Sequence, residues 1–271
     1  MSRKLFFAAL LLGLLAYCSF PLLWLVATSL KPGAEVARLP PVLPWHPTLE
    51  NYRAVFAGHS LLRVILNSAV VAGSTTVLAL VLGSLAAFAL AKLRVPRSGA
   101  VLGFVLASTM FPAIATVSPL FIVIRALRLR DTVWALILTY TTFSLPLAIW
   151  VLTSFFREVP EEILRAARVD GCSSFQVFRR IVLPLATPGL GTTAILVFIN
   201  AWNEFLYALT FTASDASRTI PVAIALFAGQ RELPWAEISA ASVIATAPLA
   251  VLVFAFQRRI VEGLTAGSVK G

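Results

Sequence analysis

Apolar residues in this chain gather into six long runs, roughly 5–30, 64–91, 100–124, 133–156, 185–211 and 238–256, with most of the charge in the stretches between them. Each run holds about 20 residues or more, enough for a helix to cross a bilayer core. Six spanning helices are therefore predicted. The second run carries Gly73, Ser74, Thr75, Gly83 and Ser84, small residues that let membrane helices pack closely. Pro112 and Pro119 interrupt the third. The fourth is polar at its centre, with Thr139, Tyr140, Thr141, Thr142 and Ser144 before Pro146, a cluster that reads as interhelical glue or back-bonding to the helix. In the fifth, Asn200, Asn203, Glu204 and Tyr207 fall at i, i+3, i+4 and i+7 and form one polar stripe on an apolar helix. Counted from Leu185, Asn200 lies near mid-bilayer and Glu204 in the outer half.

The connections differ in kind. Lys31 to Arg63 contains Pro32, Pro40, Pro41, Pro44 and Pro47, a density that favours extended chain over helix. Lys92, Arg94 and Arg97 make a tight basic turn, and Arg125, Arg128, Arg130 and Asp131 follow the third run. A second long polar interruption between strongly apolar runs, residues 157–184, is patterned as two short helices. Pro160, Glu161 and Glu162 suit a first helical turn. Ile163, Ala166, Ala167 and Asp170 share a shallow face, and Gly171 ends the helix where a left-handed residue is needed. Ser173 and Gln176 have capping-box spacing for a second helix, with Phe175, Phe178 and Val182 on one side, Arg179 and Arg180 on another, and Pro184 as its stop. A solvated connection and a helix lying on anionic lipid are the competing readings. The helix–glycine–helix order favours docking into a protein groove.

With 59% hydrophobic and 13% charged residues over 271, the composition is that of an integral membrane protein. The net charge of +10 is carried mainly by loops, with no basic stripe in a polar domain, so no nucleic-acid partner is expected. With both termini inside, 13 of the 22 Lys and Arg fall on the inner side, which puts residues 157–184 in the cytoplasm. The first run is too long for a signal h-region, and Tyr17 before Cys18 argues against lipoprotein cleavage, so an uncleaved first span is expected. The two cysteines, Cys18 and Cys172, give neither a disulfide framework nor metal spacing.

No catalytic constellation is present. His46 and His59 share the first outer loop, and no glycine precedes any lysine, so a P-loop is missing and any ATP must be bound by another subunit. Polar residues inside spans are then the functional candidates. Asn200, Asn203, Glu204 and Tyr207, with Trp202 or Tyr207 as an apolar platform, read either as a path for a hydroxyl-rich solute or as polar glue. Glu204 is the only acid well inside a span, which counts against an ion-coupled transporter.

Arg165-Ala166-Ala167-Arg168-Val169-Asp170-Gly171, nine further residues, then Ile181-Val182-Leu183-Pro184, resembles the EAA loop (EAA-x3-G-x9-I-x-LP) of ABC importer permeases, with Arg165 in place of the pattern's glutamate. AWNEF from Ala201, FQRRIVEGLTAGSVKG at the end and WLVATSLKP from Trp24 resemble the carbohydrate-uptake branch, the smaller permease of the maltose and trehalose type. The resemblance implies an all-α integral membrane fold, a single permease domain of six transmembrane helices with a cytoplasmic coupling-helix loop between helices 4 and 5. It implies a path for a sugar, of the di- or oligosaccharide class such as trehalose or maltose; another solute, such as amino acids or peptides, or a non-transporting scaffold are the alternatives. Implied partners are a second homologous permease, a dimer of cytoplasmic ABC ATPase, an external sugar-binding protein and membrane lipid. No cofactor is implied for this chain, ATP and Mg being used by the ATPase. Arg165, Ala166, Ala167, Asp170, Gly171, Phe175, Phe178, Ile181, Leu183 and Pro184 are the implied coupling residues. Thr265, Gly267, Ser268 and Lys270 resemble a tail that reaches between the ATPases.

Overall fold

A computed structural model of the chain describes residues 3–36, 43–58, 60–93, 95–227 and 233–266, with backbone alone from 258 onward. Among them it is entirely helical. The chain divides into two compact units, Met1–Arg63 with Val222–Ala250, and Val64–Pro221 with Val251–Gly271.

In the first unit, α1 (Arg3–Ser29) is an apolar helix whose only buried residues are Ala27, Thr28 and Ser29. The proline-bearing connection is not extended throughout, for it contains α2 (Gly33–Val36) and α3 (Glu50–Gly58). Asn51 explains why α3 forms there: its side-chain amide donates to the carbonyls of Ser29 and Lys31, both at 2.8 Å, and so caps the end of α1 from a distance. Tyr52 adds a hydroxyl contact to Ser29 at 2.7 Å.

The second unit is reached through α4 (Leu61–Lys92). It contains α5 (Ser98–Ala107), α6 (Ala113–Ala126), α7 (Val133–Glu158), α8 (Glu161–Val169), α9 (Ser174–Val177), α10 (Leu183–Leu185), α11 (Thr187–Asn203) and α12 (Leu206–Phe211). The chain continues through α13 (Ile220–Ala225) to α14 (Trp235–Ala266). Small residues set the spacing of the core helices. A Cβ on Gly83 would lie 2.9 Å from that of Ala148, and one on Gly189 would run into the Phe155 ring, so α4 and α11 approach α7 only because these positions lack a side chain.

Four described helices are long and apolar enough to cross a membrane: α1, α4, α7 and the Trp235–Gln257 part of α14. Two more spans arise if each of two bent pairs counts as one, a 92° bend between Ser98–Met110 and Ala113–Ala126 and a 78° bend between Ser174–Leu185 and Thr187–Asn203. The first bend is at Phe111 and Pro112, both extended at the start of α6. Pro119 sits inside α6 without ending it.

At the far end of this unit, Asp131 joins the turn before α7 to the turn after α12. Its N–H donates to the Phe211 carbonyl at 2.8 Å, and its carboxylate accepts from the amides of Ala213 and Ser214 and the hydroxyls of Ser214 and Ser217. Desolvation opposes ionisation of this carboxyl, but those four donors outweigh it and hold its pKa well below the ordinary aspartate value.

Candidate functional site

Residues 157–184 fold as a compact hairpin of short helices. Leu164 and Ala167 of α8 turn inward onto Val177, Phe178 and Val182, which pack with Phe88 of α4 and with Leu152 and Phe156 of α7. The Phe88 and Phe178 ring centroids are 5.1 Å apart. Gly171 has φ +84°, and the N–H groups of Gly171 and Cys172 return to the carbonyls of Arg168 and Ala167 at 3.1 and 2.9 Å, a Schellman closure of α8. The capping box forms as expected: the Ser173 N–H donates to Gln176 Oε1 at 2.7 Å, and the Gln176 N–H donates to Ser173 Oγ at 3.3 Å.

Three expectations for this segment change. Ala166 and Ala167 do not share a face, since Ala167 is buried in the hairpin while Ala166 stays outside with Arg165, Asp170 and Gly171. Phe175 does not join Phe178 in the core and is 62% exposed. Pro184 does not stop the second helix. The backbone widens to a π-turn over Phe178–Val182, in which the Leu183 N–H reaches the Phe178 carbonyl, and helix continues through Pro184 to Leu185. A proline has no N–H for the carbonyl four residues earlier, and a wide turn just before it accommodates that loss. Ile181 and Leu183 are half-buried, and Pro184 faces out.

The hairpin is tethered by Lys92, which the sequence offered only as part of a basic turn. Lys92 closes α4 with a side chain only 3% exposed, and its ammonium donates to the Val159 carbonyl at 2.7 Å and to Glu161 Oε1 at 3.0 Å. The Lys92 hydrogen bond is the main cause that holds the Glu161 carboxyl below its usual range, with desolvation opposing and Arg168 and Arg165 assisting. A lysine at the end of an apolar run gives no sequence signal for a partner 69 positions away. Outward, the hairpin presents Ile163, Val169 and Phe175, with Val169 88% exposed.

The second candidate region is a cleft of about 210 Å³ lined by Tyr140, Phe143, Ser144 and Leu147 of α7 and by Asn200, Ala201, Glu204 and Tyr207. The expected stripe is not continuous. Helix α11 ends at Asn203, Glu204 and Phe205 leave the helical path, and α12 starts at Leu206. The Glu204 carboxylate accompanies this break by accepting from the N–H groups of Tyr207 and Ala208, at 2.9 and 3.1 Å, and so caps α12 from the residue before its N-cap. Asn200, Glu204 and Tyr207 meet at the cleft. Asn203 does not line it and donates back to the Ile199 carbonyl at 2.9 Å. Trp202 is buried against Phe198, ring centroids 5.6 Å apart, and is no platform for the cleft.

Phe143 supplies that aromatic surface instead, stacked on Tyr207 at 5.1 Å and 15°, while the Tyr207 hydroxyl meets Thr116 Oγ1 at 2.7 Å. Tyr140 is 3% exposed and its hydroxyl has no well-formed hydrogen bond, although it faces Glu204. Tyr140 and Ser144 belong to the run taken as glue. Thr139, Thr142 and Thr153 of α7 do bond back to carbonyls four residues earlier. Of the tail positions, Gly267, Ser268 and Lys270 lie outside the described residues, and Thr265 is described by backbone only.

The fold is similar to that of a bacterial ABC transporter involved in the import of the acidic polysaccharide alginate, with a TM-score of 0.79 and 24% identity over 95% of this chain and 98% of that one. In sequence the chain is 46% identical to the trehalose transport system permease protein SugB of Mycobacterium tuberculosis, over 99% of its own length and 98% of SugB. It is 42% identical to the sulfoquinovosyl glycerol transport system permease protein SmoH of Agrobacterium fabrum, over 93% of this chain and 89% of SmoH. Residues 79–265, which include both the tethered hairpin and the cleft, match one family along their whole extent, and on that match the chain belongs to the binding-protein-dependent transport system inner membrane components.

Proposed function

We propose that this chain is the permease subunit of an ATP-driven sugar importer and forms the translocation path together with a second, homologous permease. As a single permease domain it crosses the inner membrane six times, each bent helix pair counting as one span, with both termini in the cytoplasm. Residues 157–184 are the coupling hairpin. They seat in a cleft of a cytoplasmic ATPase dimer, which binds the ATP and Mg that this chain does not. Thr265, Gly267, Ser268 and Lys270 extend between the two ATPases. An extracytoplasmic binding protein delivers the solute, a di- or oligosaccharide such as trehalose or maltose, a class supported by the trehalose in the name of SugB.

The observation that carries this reading is the outward face of the hairpin. Ile163, Val169 and Phe175 stand exposed around the Gly171 turn, on a base fixed by Lys92 and by the buried Leu164, Ala167 and Phe178. Large apolar side chains held rigidly in this way favour a protein groove over a merely solvated connection. ATP can shift the transporter between inward-open and outward-open states only through contacts that differ between them, and this face would make those contacts.

The test is Gly171→Asp. Its Cβ meets nothing within 4 Å, so the substitution strains only the turn and adds a charge at the surface. Membrane insertion is expected to be normal and uptake of radiolabelled trehalose or maltose by a strain lacking the native chain to be abolished. Normal uptake and normal co-purification of the ATPase with the variant would remove the hairpin from the mechanism.

A further inference from the structure

The junction between α6 and α7 carries Arg125, Arg128 and Arg130 close together, and all three side chains are exposed. Among the described residues no carboxylate pairs with any of them. The neighbouring acid, Asp131, directs its carboxylate to Ala213, Ser214 and Ser217, and Asp215 is engaged by Arg218. The backbone that presents the arginines is closed on itself. The N–H groups of Leu127, Arg128 and Leu129 return to the carbonyls of Val123, Arg125 and Ile124 at 2.9, 3.0 and 3.0 Å. Arg128 and Asp131 are left-handed, at φ 56° and 59°, a conformation uncommon outside glycine. The Arg130 guanidinium lies 5.8 Å over the Phe121 ring, which holds that side chain against α6.

Helix α7 has 26 residues, about 39 Å, so its start lies near one surface of the bilayer when the hairpin at its end lies near the other. Ile122, Val123, Leu127 and Trp134 stand exposed beside the arginines, an apolar set with a tryptophan at the depth where headgroups meet acyl chains. A soluble anion or an acidic protein surface makes no use of those apolar neighbours, whereas a phospholipid uses both. Three guanidiniums without a lysine suit phosphate oxygens, which accept paired N–H bonds from such forks.

We infer that Arg125, Arg128 and Arg130 bind the phosphate headgroup of an anionic phospholipid in the leaflet opposite the hairpin, with its acyl chains along Ile122, Val123 and Leu127. The inference rests on the six-span placement in the importer reading and not on the solute. Because Asp131 ends the same turn, a bound lipid also steadies the junction with residues 211–217.

The melting temperature of the detergent-purified chain, with the companion subunits it retains, reads this site as lipid is titrated in. The probes are phosphatidylglycerol, phosphatidylcholine and inorganic phosphate. Phosphatidylglycerol is expected to raise the wild-type melting temperature by several degrees and the other two to leave it unchanged. The triple variant Arg125→Gln, Arg128→Asn, Arg130→Gln uses asparagine where the backbone is left-handed. Without lipid it is expected to melt with wild type, and to need at least tenfold more phosphatidylglycerol for the same rise, the effect of losing one charge-assisted hydrogen bond. Should the variant itself melt lower, native mass spectrometry of retained lipid reads the site apart from stability, with phosphatidylglycerol carried by wild type and lost from the variant. Equal responses of variant and wild type to phosphatidylglycerol, or a wild-type response to phosphatidylcholine or inorganic phosphate as large, overturn the lipid site. If the variant keeps its lipid response and instead loses an extracytoplasmic protein partner, the arginines form a protein contact and the lipid site likewise falls. Sugar uptake in proteoliposomes separates the two levels. Uptake with equal lipid responses leaves the importer standing without the lipid site; no uptake, with the lipid response lost only in the variant, leaves the lipid site standing without the importer.

Discussion

Two charged residues show how position alone decides what a side chain does. Lys92 ends an apolar helix, where a lysine would ordinarily extend into water, yet its ammonium is folded under the hairpin onto Val159 and Glu161. Lys92→Met should leave the Val159 carbonyl and Glu161 without this donor, at a cost of about 1–3 kcal/mol. Hydrogen exchange is then expected to speed up around Val159–Glu162 in the assembled transporter, and unchanged exchange would show that the tether is unimportant. Asp131 gives a prediction about pH. Its folded pKa is depressed, so the stability it contributes is complete above the ordinary aspartate range and is lost only as pH falls through the lowered value. Protection of the Ala213 and Ser214 amides should therefore persist at a pH of about 4, near the value at which an unperturbed aspartate is half protonated. Asp131→Asn should weaken that protection at neutral pH. Neither residue announced its partner in the sequence, because both contacts join segments far apart along the chain. The Gly171 turn and the Ser173–Gln176 box were legible for the opposite reason, since each is closed within a few residues.

Among the helices, apolar length was a reliable guide to α1, α4, α7 and α14 and a poor guide to where a run breaks. Pro112 marked its own break by geometry. The break at Glu204 contains neither proline nor glycine. It is accompanied by a carboxylate that satisfies two amides of the next helix, and a periodicity of 3.6 assumes the very continuity that is absent there. Periodicity likewise placed Ala166 with Ala167, although adjacent helical residues diverge by about 100° and the packing of Phe178 and Val182 chooses between them. Close packing of α4 was foreseen from Gly83 and its small neighbours, and the structure supplies α7 as the helix it meets. Gly83→Val should force the helices apart against Ala148, an overpacking cost of about 1–3 kcal/mol, and lower the melting temperature of the purified transporter. A variant that melts with wild type would mean that the interface has slack.

For the molecule as a whole, the telling quantity is the apolar surface left uncovered. No residue in the most hydrophobic 18-residue window of α1 is buried, and in the corresponding window of α14 only 17% are. Lipid covers such faces adequately, but a partner helix bundle covers them with specific packing. Expressed without the companion permease proposed above, the chain is expected to be degraded within membranes, and co-expression should raise its steady-state level severalfold on an immunoblot. Equal levels in both cases would indicate that lipid alone suffices. The sequence made the membrane class and the helix–glycine–helix hairpin legible because composition and local caps carry them. It concealed the cleft, whose walls come from two runs read separately, one as glue and the other as an unbroken stripe.

Helix α11 starts at the 78° bend that follows the hairpin and ends at Glu204, a straight rod of about 25 Å over its 17 residues. Asn200 rides on that rod, whereas Tyr207 sits beyond the break, held by Thr116. A displacement of the hairpin that moved this rod would carry Asn200 relative to Tyr207 and so alter the width of the cleft between them.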